Sequence, residues 1–419
     1  MAKRALLRPA QLCSRIFAVE LDVRADPFYF ALSSVHKTVD DHSPVRSIFR
    51  DGNLYSLHVY CNNRIQRVKF YGELKSKLTK ELPTNCDCFE LSSFLPNEEQ
   101  SVIKGFFIRD KSTSSVTEQV LNELQQTDGV CVFSYVRGED DQLWQELWST
   151  SKRNWMEPDK YRVVPASAPE VHPSVLNIRN SDVFYSLEDA YKVLQECGDI
   201  IPESKAVLEL VDQRPQRGIH GKFPVVIIEG LDATGKTTLT ESLRGSLGAI
   251  LLKSPPQCLA PFRDRFDSEP PLIRRAFYAL GNYITACQIS TAAAQAPVIV
   301  DRYWHSTAAY AIATAVSGKL ENLPGPSSEV YHWPEDLLQP SLVLLLTVNP
   351  EERLRRLKGR GLEKTVEEAE LEVNHLFRQK VEEAYKRIKN PACIVVDASP
   401  SPDKVLQQVL LLISDKCHL

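Results

Sequence analysis

The stretch "VVIIEGLDATGKTTL", Val225 to Leu239, constrains this 419-residue chain more than any other feature. It runs from an apolar strand through Gly-x-x-x-x-Gly-Lys-Thr into a helical sequence. Gly230 and Gly235 permit a close backbone approach where a side chain would collide. Leu231, Asp232, Ala233 and Thr234 lie between them, so that successive N–H groups can wrap a β-phosphate at the positive end of a helix. In this pattern Lys236 bridges the β- and γ-phosphates and the Thr237 hydroxyl takes Mg²⁺. At about 7% glycine usage the four fixed positions coincide by chance in a chain this long on the order of once in fifty. A strand before and a helix after make coincidence rarer still.

The texture around this loop predicts the fold. "PVVIIEG" (from Pro224), "GAILLKS" (from Gly248), "PVIVDRY" (from Pro297), "SLVLLLTV" (from Ser341) and "ACIVVDA" (from Ala392) are near-continuous apolar runs separated by long helical segments. Strands that need no polar face are covered on both sides, which predicts a doubly wound, parallel, five-stranded α/β sheet of the P-loop type over residues 223–419.

Upstream the pattern is mixed. "LYSLHVYC" (54–61), "IQRVKFYG" (65–72) and "VCVFSYV" (130–136) read as strands, 116–126 and 186–196 as helices, and the Pro- and Ser-rich 158–173 as a loop. A smaller α+β domain over 21–212 is expected, joined by a linker at 213–222 that carries Pro, Gly and charge without periodicity. Cys86-Asp-Cys88 with His58 and Cys61 is too tightly spaced for a zinc site.

Composition excludes more than it proposes. A net charge of −4 gives no reason to expect nucleic acid, and runs such as Leu342–Leu346 fall far short of the roughly 20 residues that cross a bilayer. Ten scattered cysteines are not a secreted disulfide scaffold and favour a reducing setting. Residues 1–20 carry Lys3, Arg4, Arg8 and Arg15 with no acid before Glu20, the bias of a mitochondrial targeting segment. The segment is short and Pro9 interrupts its helix, so mitochondrial and cytoplasmic locations both stay open.

Two more motifs bear on chemistry. Asp301 and Arg302 end a predicted strand at the edge where ligands bind in open α/β sheets. There an acid can hold Mg²⁺ and an arginine can clamp phosphate. An Asp-Arg pair is ordinarily a surface ion pair, and its coupling to the phosphate loop is what favours function. "NPEERLRRLKGRG" (349–361) concentrates Arg353, Arg355, Arg356, Lys358 and Arg360 before a Gly-Arg-Gly tip, the composition of a cationic lid over a moving phosphoryl group.

In order and spacing, "VVIIEGLDATGKTTL", "DRYWHSTAAYA", "TVNPEERLRRLKGRG", "FRQKVEEAYKRI" and "VVDASPSPDKV" resemble the thymidylate kinase-like nucleoside monophosphate kinases from Phe223 to the C-terminus. The resemblance implies ATP with Mg²⁺ as the donor and a pyrimidine nucleoside monophosphate as the acceptor. It implies acceptor contacts at Asp232, Lys253 and Arg302, a base-stacking ring at Phe277, an adenine-contacting loop at Ala398 and Ser399, and catalytic charge from Lys236, Arg302, Arg353, Arg356 and Arg360. Family members dimerise through helices on one sheet face, which leaves a homodimer open. Gly281, followed by Asn282, stands where the family has a thymine-reading arginine. Its loss implies a reopened pocket that takes uracil and cytosine. A thymidylate kinase, and a nucleotide-gated regulatory or scaffold protein, are the alternatives.

Overall fold

From Pro224 onward the apolar runs form the strands they predict. The structure, a computed structural model, describes residues 14–22, 25–33, 49, 52–61, 63–112, 114–139, 142–148, 160–213, 221–358 and 374–418. Two compact units emerge: Met1–Asn177 with Ser317–Asn322, and Ile178–Val316 with Leu323–Leu419. Among the described residues no helix is long and apolar enough to cross a membrane.

The first unit carries β1 (Ile16–Glu20), β2 (Phe28–Ser33), β3 (Asn53–Val59), α1 (Arg64–Glu81), β4 (Cys86–Phe94), β5 (Ile103–Asp110), α2 (Ser115–Gln126), β6 (Val130–Arg137), β7 (Leu143–Leu147) and β8 (Tyr161–Pro165). Its eight described strands close into an antiparallel barrel in the order β1-β2-β8-β7-β6-β3-β5-β4, so the expected α+β domain is built on a closed barrel with α1 and α2 packed against it. Closure comes from β1, which pairs with β2 on one side and β4 on the other, a partnership between distant segments that no local pattern announces.

Along β3, Leu54 joins an aromatic cluster with Phe17, Phe30 and Phe107. Its neighbour Tyr55, like Leu57, packs in a separate cluster with Leu74 and Leu78 of α1 and Leu121 of α2. Both faces of that strand are therefore buried, and its apolar run is interrupted only by the buried Ser56 and His58. Two local expectations fail here. Residues 65–72, expected as a strand, lie inside α1, whose N-cap Asn63 accepts from the N–H groups of Ile65 and Gln66. The expected loop at 158–173 contains β8. Cys86 and Cys88 lie on β4, and His58 is buried on β3 against the Ser56 hydroxyl at 3.2 Å.

The second unit begins with α3 (Leu187–Glu196) and α4 (Glu203–Asp212). Residues 186–196 were expected as a helix of an N-terminal domain ending at 212, with the linker at 213–222, yet both helices group with the sheet that follows. Ala190, Val193 and Leu194 give α3 an apolar stripe, and its first N–H bonds Asp336 Oδ2 at 2.8 Å. Residues 214–220 of the expected linker lie outside the described residues.

Next come β9 (Val225–Gly230), α5 (Lys236–Leu247), β10 (Ile250–Lys253), α6 (Arg263–Asp267), α7 (Pro271–Ala292), β11 (Val298–Asp301), α8 (Trp304–Ala315), β12 (Leu342–Thr347), α9 (Pro350–Lys358), α10 (His375–Arg387), β13 (Cys393–Asp397) and α11 (Pro402–Cys417). The sheet order is β10-β11-β9-β12-β13, every pair parallel. Strand β9 is central and buried throughout. Its carboxyl end, with those of β11 and β12, is where the phosphate loop and the Asp-Arg pair emerge.

Candidate active site

Backbone conformation shapes the loop after β9. Gly230 has φ +143°, and a Cβ there would stand 2.6 Å from the Leu346 carbonyl oxygen, so only glycine fits. Gly235 adopts φ 95° as the N-cap of α5 and has no side chain to cap the first turn, which leaves the N–H groups that a phosphate takes. Within the loop, Thr234 Oγ1 donates to Leu231 O at 2.8 Å.

Lys236 folds back over this loop, its Nζ donating to Gly230 O at 3.0 Å and Leu231 O at 2.8 Å. Burial, with Arg302 adding repulsion, pushes its ammonium down to about 7 against the opposing pull of Asp232 and Asp301. A desolvated cation over a rim of N–H groups is an anion site at high potential. Thr237 is exposed at the start of α5.

Asp301 closes β11, and its Oδ1 is buried without a hydrogen-bond partner among the described residues. Arg302 follows with φ 66°, a left-handed backbone that non-glycine residues seldom adopt. Its guanidinium donates to Asp232 Oδ1 at 2.7 Å and to Ser306 Oγ at 3.2 Å, and lies 5.8 Å from the centre of the Tyr310 ring. The acidic position of the phosphate loop and the arginine of the Asp-Arg pair are thus joined directly.

The arginines of α9 separate by geometry. Arg353 is 3% exposed; its Nε donates to Asp232 O at 3.1 Å, and its Nη1 is buried without a partner among the described residues. Arg356 reaches Thr234 O at 3.4 Å and Ala398 O at 2.9 Å while pairing with Glu352 at 2.7 Å. It ties the phosphate loop to the segment after β13, where Ser399 Oγ accepts from Asn349 N at 3.2 Å. Arg355 is exposed and pairs with Glu352. Arg360 lies outside the described residues.

On the expected acceptor side the structure departs from the sequence expectation. Gly281 does not open onto a gap. A Cβ there would stand 3.1 Å from Pro255 Cβ and 3.3 Å from Leu259 Cδ1, so the space expected to be reopened is filled by those two residues. Asn282 spends both ends of its amide, accepting from Ser254 Oγ at 2.8 Å and donating to Thr307 Oγ1 at 3.0 Å. Phe277 is fully buried and stacked on Phe266, with centroids 4.5 Å apart and planes 5° apart. Lys253 is exposed, in register with Asp301 at the end of β10. Restoring an arginine at position 281 should therefore overpack this corner. Gly281→Arg is expected to lower stability by about 1–3 kcal/mol in a denaturant melt, and an unchanged midpoint with unchanged slope would contradict the packing described.

One residue at the centre of the site was not singled out from the sequence. Glu229, just before the loop, is fully buried and accepts hydrogen bonds from the segment that carries Arg302. A lone acid inside an otherwise apolar strand was the available signal, because buried charges need partners.

The chain is similar in sequence to known proteins. A model of the family described as "Thymidylate kinase" matches residues 228–409. The chain is 50% identical over 360 residues to "UMP-CMP kinase 2, mitochondrial" of Homo sapiens, which covers 85% of this chain and 80% of that protein. It is 25% identical over 213 residues to a probable thymidylate kinase of Archaeoglobus fulgidus, covering 46% of this chain and 97% of that one. Among solved structures, a thymidylate kinase from Candida albicans matches with 23% identity and a TM-score of 0.37, over 48% of this chain and 96% of that one.

Proposed function

The chain belongs to the thymidylate kinase family of nucleoside monophosphate kinases, and from that premise we propose that it uses ATP to phosphorylate pyrimidine nucleoside monophosphates. Its acceptors are UMP, CMP, dUMP and dCMP, and its products the corresponding diphosphates. The observation that carries this is the 2.7 Å pair between Asp232 and Arg302. A site for a triphosphate alone has no need to fix an acceptor-side arginine to its own phosphate loop.

The chemistry is in-line phosphoryl transfer. An acceptor phosphate oxygen bonds to the γ-phosphorus as the bond to the β–γ bridging oxygen breaks, so positioning and charge do most of the catalysis. Lys236 and the N–H groups of Gly230–Thr237 hold the β- and γ-phosphates. Arg302 orients the acceptor phosphate, with Lys253 beside it. Arg353 and Arg356 meet the charge on the moving group, and Ala398 and Ser399 border the adenine. Phe277 supplies the base platform once Phe266 yields its face, with Gly281 and Asn282 in the wall behind.

The Thr237 hydroxyl and Asp301 Oδ1, which has no hydrogen-bond partner among the described residues, are hard oxygen donors that suit Mg²⁺. Held there, the ion would neutralise charge on the donor phosphates. The basic leader at residues 1–20, of which 1–13 lie outside the described residues, supports import into mitochondria.

A substrate panel on the full chain with Mg-ATP tests the function. CMP, UMP and their deoxy forms are expected to exceed dTMP in kcat/KM by about tenfold or more, since position 281 carries glycine and not a thymine-reading arginine. Preference for dTMP would make the protein a thymidylate kinase. Absence of turnover on every monophosphate would leave a nucleotide-gated regulatory protein.

A further inference from the structure

Arg302 holds its guanidinium toward Asp232 from a left-handed backbone. Such a conformation is costly for a residue with a Cβ and persists where surrounding bonds impose it. The bonds that follow it converge on one carboxylate. Glu229 Oε1 accepts from Tyr303 N at 2.9 Å and from Ser306 N at 3.2 Å. Its Oε2 accepts from the Ser306 hydroxyl, and from Tyr385 OH at 3.2 Å. Ser306 Oγ in turn accepts from Arg302 Nη1 at 3.2 Å and lies 2.9 Å from Tyr385 OH.

Two features separate this arrangement from an ordinary buried ion. Helix α8 begins at Trp304 with Tyr303 as N-cap and no side-chain cap of its own, so Glu229 caps it from a neighbouring strand. The same β9 residue immediately precedes Gly230, the first residue of the phosphate loop. One side chain therefore spans from the donor loop to the backbone that aims the acceptor arginine, with Tyr385 of α10 as its backing.

We infer that Glu229 is a positioning residue for phosphoryl transfer, which sets the direction of Arg302 by holding Tyr303 and Ser306 and so couples the acceptor phosphate to the donor loop. This inference rests on the acceptor role proposed for Arg302. It gives Glu229 no contact with either nucleotide, and its effect passes through Ser306 and the Arg302 backbone.

A double-mutant cycle on the full chain, with Mg-ATP and CMP, decides it. Glu229→Gln keeps one oxygen for the two N–H groups while replacing the acceptor that serves the two hydroxyls. It is expected to raise KM for CMP about tenfold with KM for ATP changed less than about twofold. Tyr385→Phe should move the same parameter in the same direction by less, and it carries the test should Glu229→Gln not fold. On an Arg302→Ala background, Glu229→Gln should change kcat/KM for CMP by less than about twofold, since residues acting through one another are not additive.

Equal losses for both substrates, or a lowered melting temperature with CMP kinetics intact, would make Glu229 a structural residue only. A full Glu229→Gln effect in the absence of the arginine would also overturn the inference. A strong Arg302→Ala defect beside a silent Glu229→Gln sinks the inference alone. A silent Arg302→Ala sinks the acceptor site with it.

Discussion

Replacing Lys236 with alanine is expected to lower kcat on the order of 10²–10³-fold without lowering the melting temperature. The magnitude is that of removing one preorganised donor from the site of developing charge. The stability expectation follows from burial. In the free protein the ammonium is buried and held near 7, by desolvation first and by Arg302 second, so removing it also removes a desolvated charge.

The same shift gives a pH signature. Lys236 is charged below about 7 and loses its proton as the pH rises through that value. Because kcat/KM for ATP reports the free enzyme, the wild type is expected to lose activity over a limb centred near that pH, and Lys236→Ala to lack the limb. A variant that retained wild-type turnover, or the limb, would remove Lys236 from the mechanism.

Arg353 carries the second large effect, with opposite signs for stability and activity. Its side chain is buried, burial lowers its pKa, and its Nη1 finds no partner among the described residues. An unpaired buried donor costs about 1–3 kcal/mol, so a shape-matched apolar side chain should remove that cost. Arg353→Met is expected to keep or raise the melting temperature while kcat falls on the order of 10²-fold or more. Arg356→Met should be milder in kcat and harmful to stability, because that guanidinium already bonds Thr234 O, Ala398 O and Glu352. Thermal melts beside steady-state kinetics on the two variants check the contrast. Equal kinetic defects would mean that burial does not distinguish the two arginines.

The legible part of this protein was written in contiguous segments. Five apolar runs became five parallel strands, of which the inner β9, β11 and β12 are buried nearly throughout and so have no polar side. Gly230 and Gly235 declared a backbone conformation, which is a local property. The Asp301-Arg302 dipeptide pointed to a strand end, and the strand end is where it stands.

What escaped notice was non-local. The residues of α1 that alternate like a strand were overridden by an 18-residue helix with an Asn63 cap. Helices α3 and α4 have apolar stripes, and a stripe does not name its partner. The gap expected at Gly281 was an inference from a missing side chain, while Pro255 and Leu259 decide whether space remains.

The sequence by itself determined the parallel sheet and the phosphate loop, since each follows from residues adjacent in the chain and from backbone rules that act within a few positions. Only the tertiary structure decided which side chains serve that loop. Arg353 meets Asp232 across 121 positions, Arg302 meets it across 70, and Tyr385 meets Glu229 across 156. A hydrogen bond depends on distance and angle between two atoms, and at such separations neither is encoded until the sheet has brought the segments together.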